Sequence, residues 1–403
     1  MAPPGPQPQP SATRNLYAFG FTSLFNDTAT EMAYWVLPAF LVSLGAGPAQ
    51  LGLIEGIAES VASFAQLFSG YLTDRLSRRK PLVVAGYAVA NAVKPILALV
   101  TAWWQILLIR FTDRLAKGGR GAPRDVMVAE SVGKERLGSA YGLIQSLDSA
   151  GAIAGPLVAL LLLGHFSIRT VFWAAAVPGA LCVLIAFFGI QETHRQQFEH
   201  KQPTIKSPFS KPQSQTRAAA LPASFHFVLV AVTLFSLGNS SDMFLVMRAQ
   251  NVGISVKLAP LLGLVFNTTY TLGSWPAGWF SDRFSRRILA AAGYFIFAAV
   301  YYVFGRAPST LAIWIAMAVY GTYYALTQPV LKALVVETVS QEIRGRALGI
   351  YFFLTSVATL LASLITGELW KHYGPGVPFY LSAGMATVSA LLLLVGSFQR
   401  TSG

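Results

Sequence analysis

Apolar residues run in blocks of roughly 20 along this chain, separated by short turns that hold much of the charge. Helices of about that length cross a hydrocarbon core about 30 Å thick. The pattern predicts twelve of them, at 16–44, 50–72, 81–101, 104–129, 138–163, 168–190, 224–247, 258–280, 288–305, 311–336, 346–369 and 376–397. The connecting turns are short except 191–223, a polar, basic stretch with Pro and Gln that reads as a flexible linker. Residues 1–14 are rich in Pro and lack the apolar core of a signal peptide, so they read as a disordered tail. A second short tail is expected at 399–403. An α/β enzyme with buried strands would instead show apolar runs of about 4–8 residues.

Composition agrees with a polytopic all-α membrane protein. Hydrophobic residues make up 54% and charged residues only 12%, where a soluble chain carries about a quarter charged. The net charge of +13 does not point to nucleic acid, because the exposed positives sit in turns beside the spans, where they set topology. One side holds Arg14, Arg75, Arg78, Arg79, Lys80, Lys134, Arg136, Arg283, Arg286, Arg287, Arg344, Arg346, Arg400 and the basic linker. The other holds only Arg169, Arg248, Lys257, Arg306 and Lys371. The first side is therefore expected to be cytoplasmic, with both termini inside. The lone Cys182 allows no internal disulfide.

The chain repeats itself. Gly70-Tyr71-Leu72-Thr73-Asp74-Arg75-Leu76-Ser77-Arg78-Arg79 returns as Gly278-Trp279-Phe280-Ser281-Asp282-Arg283-Phe284-Ser285-Arg286-Arg287. Glu31-Met32 aligns with Asp242-Met243, Gly52-Leu53 with Gly263-Leu264, Gly86-Tyr87 with Gly293-Tyr294, Glu130 with Glu337, and Gly138 and Gly142 with Gly345 and Gly349. The offset is 211 residues early and 207 late. Two six-helix halves joined by a linker is a transporter architecture.

On these residues the chain resembles the major facilitator superfamily. Gly70, Asp74, Arg75, Arg78 and Arg79 fit that family's loop signature G-x-x-x-D-R-x-G-R-R, with Ser77 in place of its glycine. Arg114, Gly118, Gly121 and Ala122 fit its fourth-helix motif R-x-x-x-G-x-x-G-A. Gly142, Gly151, Gly155 and Pro156 fit most of the motif associated with its antiporters, although Ala159 and Leu160 replace the closing glycines. The resemblance implies twelve helices in two pseudo-symmetric six-helix bundles, a central cavity lined by the first, fourth, seventh and tenth helices, and a link between Arg114 and proton coupling.

Charges inside spans are costly and mark candidate sites. Asp27 and Glu31 lie four apart on one helix face, beside Asn26. Two like charges this close favour keeping a proton on one of them, so Asp27, Glu31 and Arg114 are the candidate coupling group, with Arg114 expected to reach one of the two acids. A static pair that locks helix packing is the alternative. Asn26, Arg110, Lys117, Asn239, Asp242, Tyr320, Tyr324, Gln328 and Lys332 are candidates for the substrate path, with Lys332 a possible partner of Asp242 and Lys117 of Asp113. Gly70, Asp74, Arg75, Arg78, Arg79, Arg124, Asp125 and Glu130 are candidates for a cytoplasmic latch, in which Asp74 and the arginines pair with fourth- and eleventh-helix groups. Asp148 reads as a packing or hinge partner. Glu55 and Glu59 read as a second proton site or an external mouth, and Lys94 as a snorkelling residue or a partner of an acid.

The five histidines show no metal-ligand spacing, and no G-x-x-x-x-G-K-[ST] loop is present. The expectation is a non-enzymatic, cofactor-free, monomeric transporter in a bacterial-type inner membrane. It would move a small organic molecule against protons by alternating access, as export. Uptake or exchange of an organic anion, drawn by Arg110, Arg114, Lys117 and Lys332, is the rival. A non-transporting membrane sensor is the rival of another class.

Overall fold

In the computed structural model, residues 10–75, 78–132, 137–193, 221–281, 284–339 and 344–398 are described. The first half contains α1 (Pro10–Tyr34), α2 (Leu37–Ser43), α3 (Pro48–Arg75), α4 (Lys80–Ile96), α5 (Trp103–Ser131), α6 (Leu137–His165), α7 (Ile168–Ala174) and α8 (Ala176–Gly189). The second contains α9 (Ala223–Gly238), α10 (Met243–Asn251), α11 (Ala259–Ser281), α12 (Arg286–Arg306), α13 (Thr310–Glu337), α14 (Arg344–Tyr373) and α15 (Val377–Phe398). The apolar blocks thus become helices close to where the pattern puts them, and the described residues hold no strand. Three blocks are split, into α1 with α2, α7 with α8, and α9 with α10. α1 starts at Pro10, inside the stretch expected as tail, and Arg14 Nη2 donates to the carbonyl of Phe188 at 2.8 Å.

Among the described residues, nine stretches are long and apolar enough to cross a membrane. The predicted spans outside these nine are the first (α1 with α2), the fourth (α5) and the eighth (α11). All three carry polar residues that line the central cavity. Their low hydropathy reflects an inner face turned to that cavity.

Glycines set the closest helix approaches. A Cβ on Gly118 would strike the Ala62 carbonyl on α3, and one on Gly151 the Leu24 carbonyl on α1. One on Gly155 would stand 2.8 Å from Glu31 Cβ and 2.7 Å from the Thr28 carbonyl. The fourth-helix and antiporter-type motifs therefore seat α5 on α3 and α6 on α1, the small-residue packing that spans use where no hydrophobic drive joins them. Gly142 belongs to α6, and its surroundings lie outside the described residues. Gly70 has nothing within 4 Å and makes no such approach.

The halves meet at the end away from the basic turns. Gly52 packs on the Ser363 carbonyl and Gly367 on that of Pro48, 2.6 Å from a built Cβ. Gly263 receives the indole of Trp35, which lies 6.2 Å from the Phe266 ring. Ser60 Oγ donates to the Ser356 carbonyl at 3.2 Å, and Phe64 meets Phe353 edge to face at 5.9 Å.

Candidate functional site

Sealed at that end, the space between the halves forms a cavity of about 370 Å³. Its wall comprises Asn26, Asp27, Thr30, Glu31, Tyr34 and Trp35 from the first span, and Asp113, Arg114, Lys117 and Arg120 from α5. Gln145, Asp148, Ser149 and Ala152 come from α6, Phe266, Asn267, Tyr270 and Thr271 from α11, Asp242 from the α9–α10 break, and Tyr324 from α13. A second space of about 440 Å³ shares Asn26, Asp27, Arg114, Lys117, Arg120, Gln145 and Asp148 with it. This space continues along α3 and α5 to Gln66, Arg124 and Asp125, towards the basic end.

The first-half wall is a set of ion pairs and hydrogen bonds. Arg114 Nη2 binds Glu59 at 3.0 Å rather than Asp27 or Glu31, the partners expected from depth. The reason is helix adjacency: α5 packs on α3 through Gly118, which puts the Arg114 guanidinium on the α3 carboxylate. Arg110 does not line either of these spaces. Expected on the substrate path, it instead grips Glu55 with two bonds of 2.8 Å, both side chains being buried. Glu55 and Glu59 are thus partners of α5 arginines. Asp113 lies 3.8 Å from Arg110, and Lys117 has no ion-pair partner among the described residues. Arg120 stacks on the Tyr87 ring at 4.2 Å.

Glu31 accepts from Trp35 Nε1 at 2.7 Å and Asp27 from Asn26 Nδ2 at 3.0 Å. Asp148, expected as a hinge residue, lines both spaces, faces Asp27, and accepts from Ser23 Oγ at 2.6 Å. Its helix is otherwise apolar towards its end, so one acid in it carried little sequence signal. Asn267 crosses between halves, donating to the Ala152 carbonyl at 2.9 Å. Lys94 does not snorkel. It is buried and donates to Asn91 Oδ1 at 2.9 Å.

The second-half wall holds one acid in aromatic surroundings. Asp242 accepts from Tyr320 at 2.7 Å and Tyr324 at 3.0 Å. Tyr324 meets Phe266 edge to face at 5.1 Å and Tyr270 at 5.9 Å. Among the described side chains, these two tyrosines are the partners seen for Asp242. The Gln328 and Lys332 side chains lie outside the described residues. Asn239 caps the end of α9 and does not line the cavity.

At the basic end, Arg79 Nη1 binds both oxygens of Glu130 at 2.7 Å, and Arg286 pairs with Glu337 at the matching place of the second half. Glu192 accepts from the backbone N–H of Arg79 at 2.8 Å. Arg124 turns to its neighbour Asp125 at 3.0 Å, and Arg78 is exposed. The described bonds of the turn tie it, within its own half, to the fourth helix through Glu130 and to the segment after α8 through Glu192. The Asp74 and Arg75 side chains lie outside the described residues.

Comparison with known proteins follows the same architecture. The sequence matches the Major Facilitator Superfamily over residues 19–247 and 228–401. It is 32% identical over 390 residues to the uncharacterized MFS-type transporter MJ1317 of Methanocaldococcus jannaschii, covering 95% of this chain and 94% of that one. It is 23% identical to the multi-drug resistance efflux pump PmrA of Streptococcus pneumoniae, over 94% of this chain and 95% of that one. The fold is similar to a crystal structure of a POT family transporter in complex with a thioalcohol-conjugated peptide. The TM-score is 0.77 at 12% identity, covering 96% of each chain. The duplicated basic turn, the paired bundles and the polar cavity between them, together with these matches, place the chain in the Major Facilitator Superfamily as an integral membrane transporter.

Proposed function

We propose that this transporter exports a small organic cation in exchange for protons. The observation that carries the reading is the charge balance of the cavity wall. Arg114 is paired with Glu59 and Asp113 has Arg110 beside it. Asp27, Glu31, Asp148 and Asp242 face the same space and, among the described residues, only Lys117 and Arg120 remain as cationic counterparts on that wall. Unbalanced acids beside Tyr34, Trp35, Phe266, Tyr270 and Tyr324 suit a cation with an apolar body, which aromatic faces attract. The anion reading loses support because Arg110 is taken up by Glu55 and Arg114 by Glu59.

Division of labour follows from position. Asp27 and Asp148 face each other, and a facing carboxyl pair binds protons as a unit. Protonating this pair lowers the negative charge holding a cation, so proton and substrate compete for one cavity. This competition is the requirement for antiport. Resemblance to the efflux pump supports the outward direction. Lysine and arginine bias makes the basic end cytoplasmic, so the cavity described here opens inward. The test is proteoliposome transport of a lipophilic cation such as ethidium. An imposed proton gradient drives its uptake against concentration in the wild type, and an Asp27→Asn/Glu31→Gln variant loses that drive. Transport indifferent to both the gradient and the substitutions would sink the reading.

A further inference from the structure

Lys94 and Asn91 on α4 have no part in the cavity wall, yet they end a hydrogen-bond chain that reaches it. Lys94 Nζ donates to Asn91 Oδ1 at 2.9 Å, Asn91 Nδ2 donates to Asn26 Oδ1 at 3.2 Å, and Asn26 Nδ2 donates to Asp27 Oδ1 at 3.0 Å. Lys94, Asn91 and Asn26 are each more than nine-tenths buried. We infer that Lys94 is a positioning residue for Asp27, acting through the two asparagines to aim an amide N–H at its carboxylate.

The direction of the chain is set by chemistry. An ammonium group has donors only, so the Asn91 atom facing it must be the carbonyl oxygen. That turns the Asn91 amide nitrogen away from Lys94. Its second contact, the Tyr87 backbone carbonyl at 2.9 Å, accepts only a donor and requires the same orientation. Asn91 Nδ2 also lies 3.5 Å from Cys182 Sγ. Asn26 must then present its oxygen to Asn91 and its nitrogen to Asp27. Reversing either amide would set donor against donor or oxygen against oxygen inside the protein, where an unmade hydrogen bond is costly. The cation thus fixes two side-chain amides in series, and the last one stabilises the ionised form of Asp27.

A through-space effect of the Lys94 charge is the competing explanation, and the surroundings make it distinguishable. Lys94 faces Asp113 and Arg120 of α5, Cys182 of α8 and Asp27 of α1. Arg110 lines the small space beside it. Asp27 faces Glu31 of α1, Asp148 of α6 and Lys117 of α5. Cutting the chain at Asn91 leaves every one of these charges in place.

The inference rests on the proton-coupled reading only for its use, and its test does not require transport. Infrared pH titration of the purified protein follows the carboxyl band that disappears in Asp27→Asn. Lys94→Met and Asn91→Leu are each expected to move the midpoint of that band upward by about one pH unit, a tenfold change in proton affinity. The double variant should move it no further than either single variant, because both cut one chain. Lys94→Arg, again a pure donor, should keep the wild-type midpoint. Asn91→Ala replaces Asn91→Leu if the latter does not melt cooperatively. An unmoved midpoint in both single variants overturns the inference. So does a shift in Lys94→Met with none at Asn91, which would leave the lysine charge acting alone. A wild-type transporter indifferent to pH, with the band shifts intact, would instead overturn the antiport reading.

Discussion

The two halves of this transporter share packing and differ in chemistry. With a shift of 207 residues, Gly86 packed on Arg120 corresponds to Gly293 packed on Thr327, and the Arg79–Glu130 pair to Arg286–Glu337. On the cavity face the same shift turns Asp113 into Tyr320 and Lys117 into Tyr324. The first span of the first half is helical through Asp27 and Glu31. In the second half, residues 239–242 are unwound, so that Asp242 sits at the helix break. Duplication has kept the contacts that build a bundle. It has let one cavity wall become a charge network and the other an aromatic box around one carboxylate. The difference teaches that two copies of one fold can keep the same packing while their cavity faces take on different chemistry, which is what the proposed split of proton handling and cargo recognition rests on.

The largest expected effect breaks the first-half network. Arg110→Ala leaves Glu55 buried without its guanidinium, a loss of about 3–5 kcal/mol, read as a fall in melting temperature of the purified protein. The double variant Arg110→Met/Glu55→Gln should recover much of that loss, since it removes both charges. Next comes packing. Gly155→Val forces α6 off α1 at Thr28 and Glu31 and should cost about 1–3 kcal/mol, together with transport activity.

Smaller effects probe the second half. Tyr324→Phe removes one of two hydroxyls on Asp242 and some cation-binding polarity while keeping the ring, so ethidium affinity should change by about tenfold or less, whereas Asp242→Asn should weaken it further. Isothermal binding to detergent-solubilised protein measures both, and equal effects would show that the carboxylate charge is not what holds the cation. The smallest difference separates the two basic turns. Glu337→Gln removes a pair whose side chains are 32% and 50% exposed and should cost under about 1 kcal/mol. Glu130→Gln removes a pair only 8% and 20% exposed, on a carboxylate that also accepts from the Thr193 hydroxyl, so its melting temperature should fall more.

Much of the fold was legible in the sequence because span length, turn charge and the repeat are one-dimensional signals. The glycine motifs were legible for the same reason: their spacing states which face is small. Pairings across helices were not. Arg114 could be assigned a depth but not a neighbour, and only the seating of Gly118 on α3 decides that Glu59 is its partner. Asp148 reads as a packing residue because its apolar C-terminal run dominates the helix, although Gln145 and Ser149 beside it mark the polar face that lines the cavity. Asp242 stood out as an acid in a span, but its tyrosine partners depend on the break in its helix at residues 239–242; Gly238 and the polar run after it mark that break, which an unbroken span over 224–247 passes over.

The claim that the two walls have different tasks is tested most directly by separating exchange from uphill transport. In proteoliposomes, ethidium–ethidium exchange at equal pH needs cargo binding and alternating access but no net proton movement. Asp27→Asn should retain exchange while losing gradient-driven accumulation, and Asp242→Asn should lower both. Loss of exchange and accumulation together in Asp27→Asn, with the protein folded, or an Asp242→Asn variant that fails only in gradient-driven transport, would contradict the division between the halves.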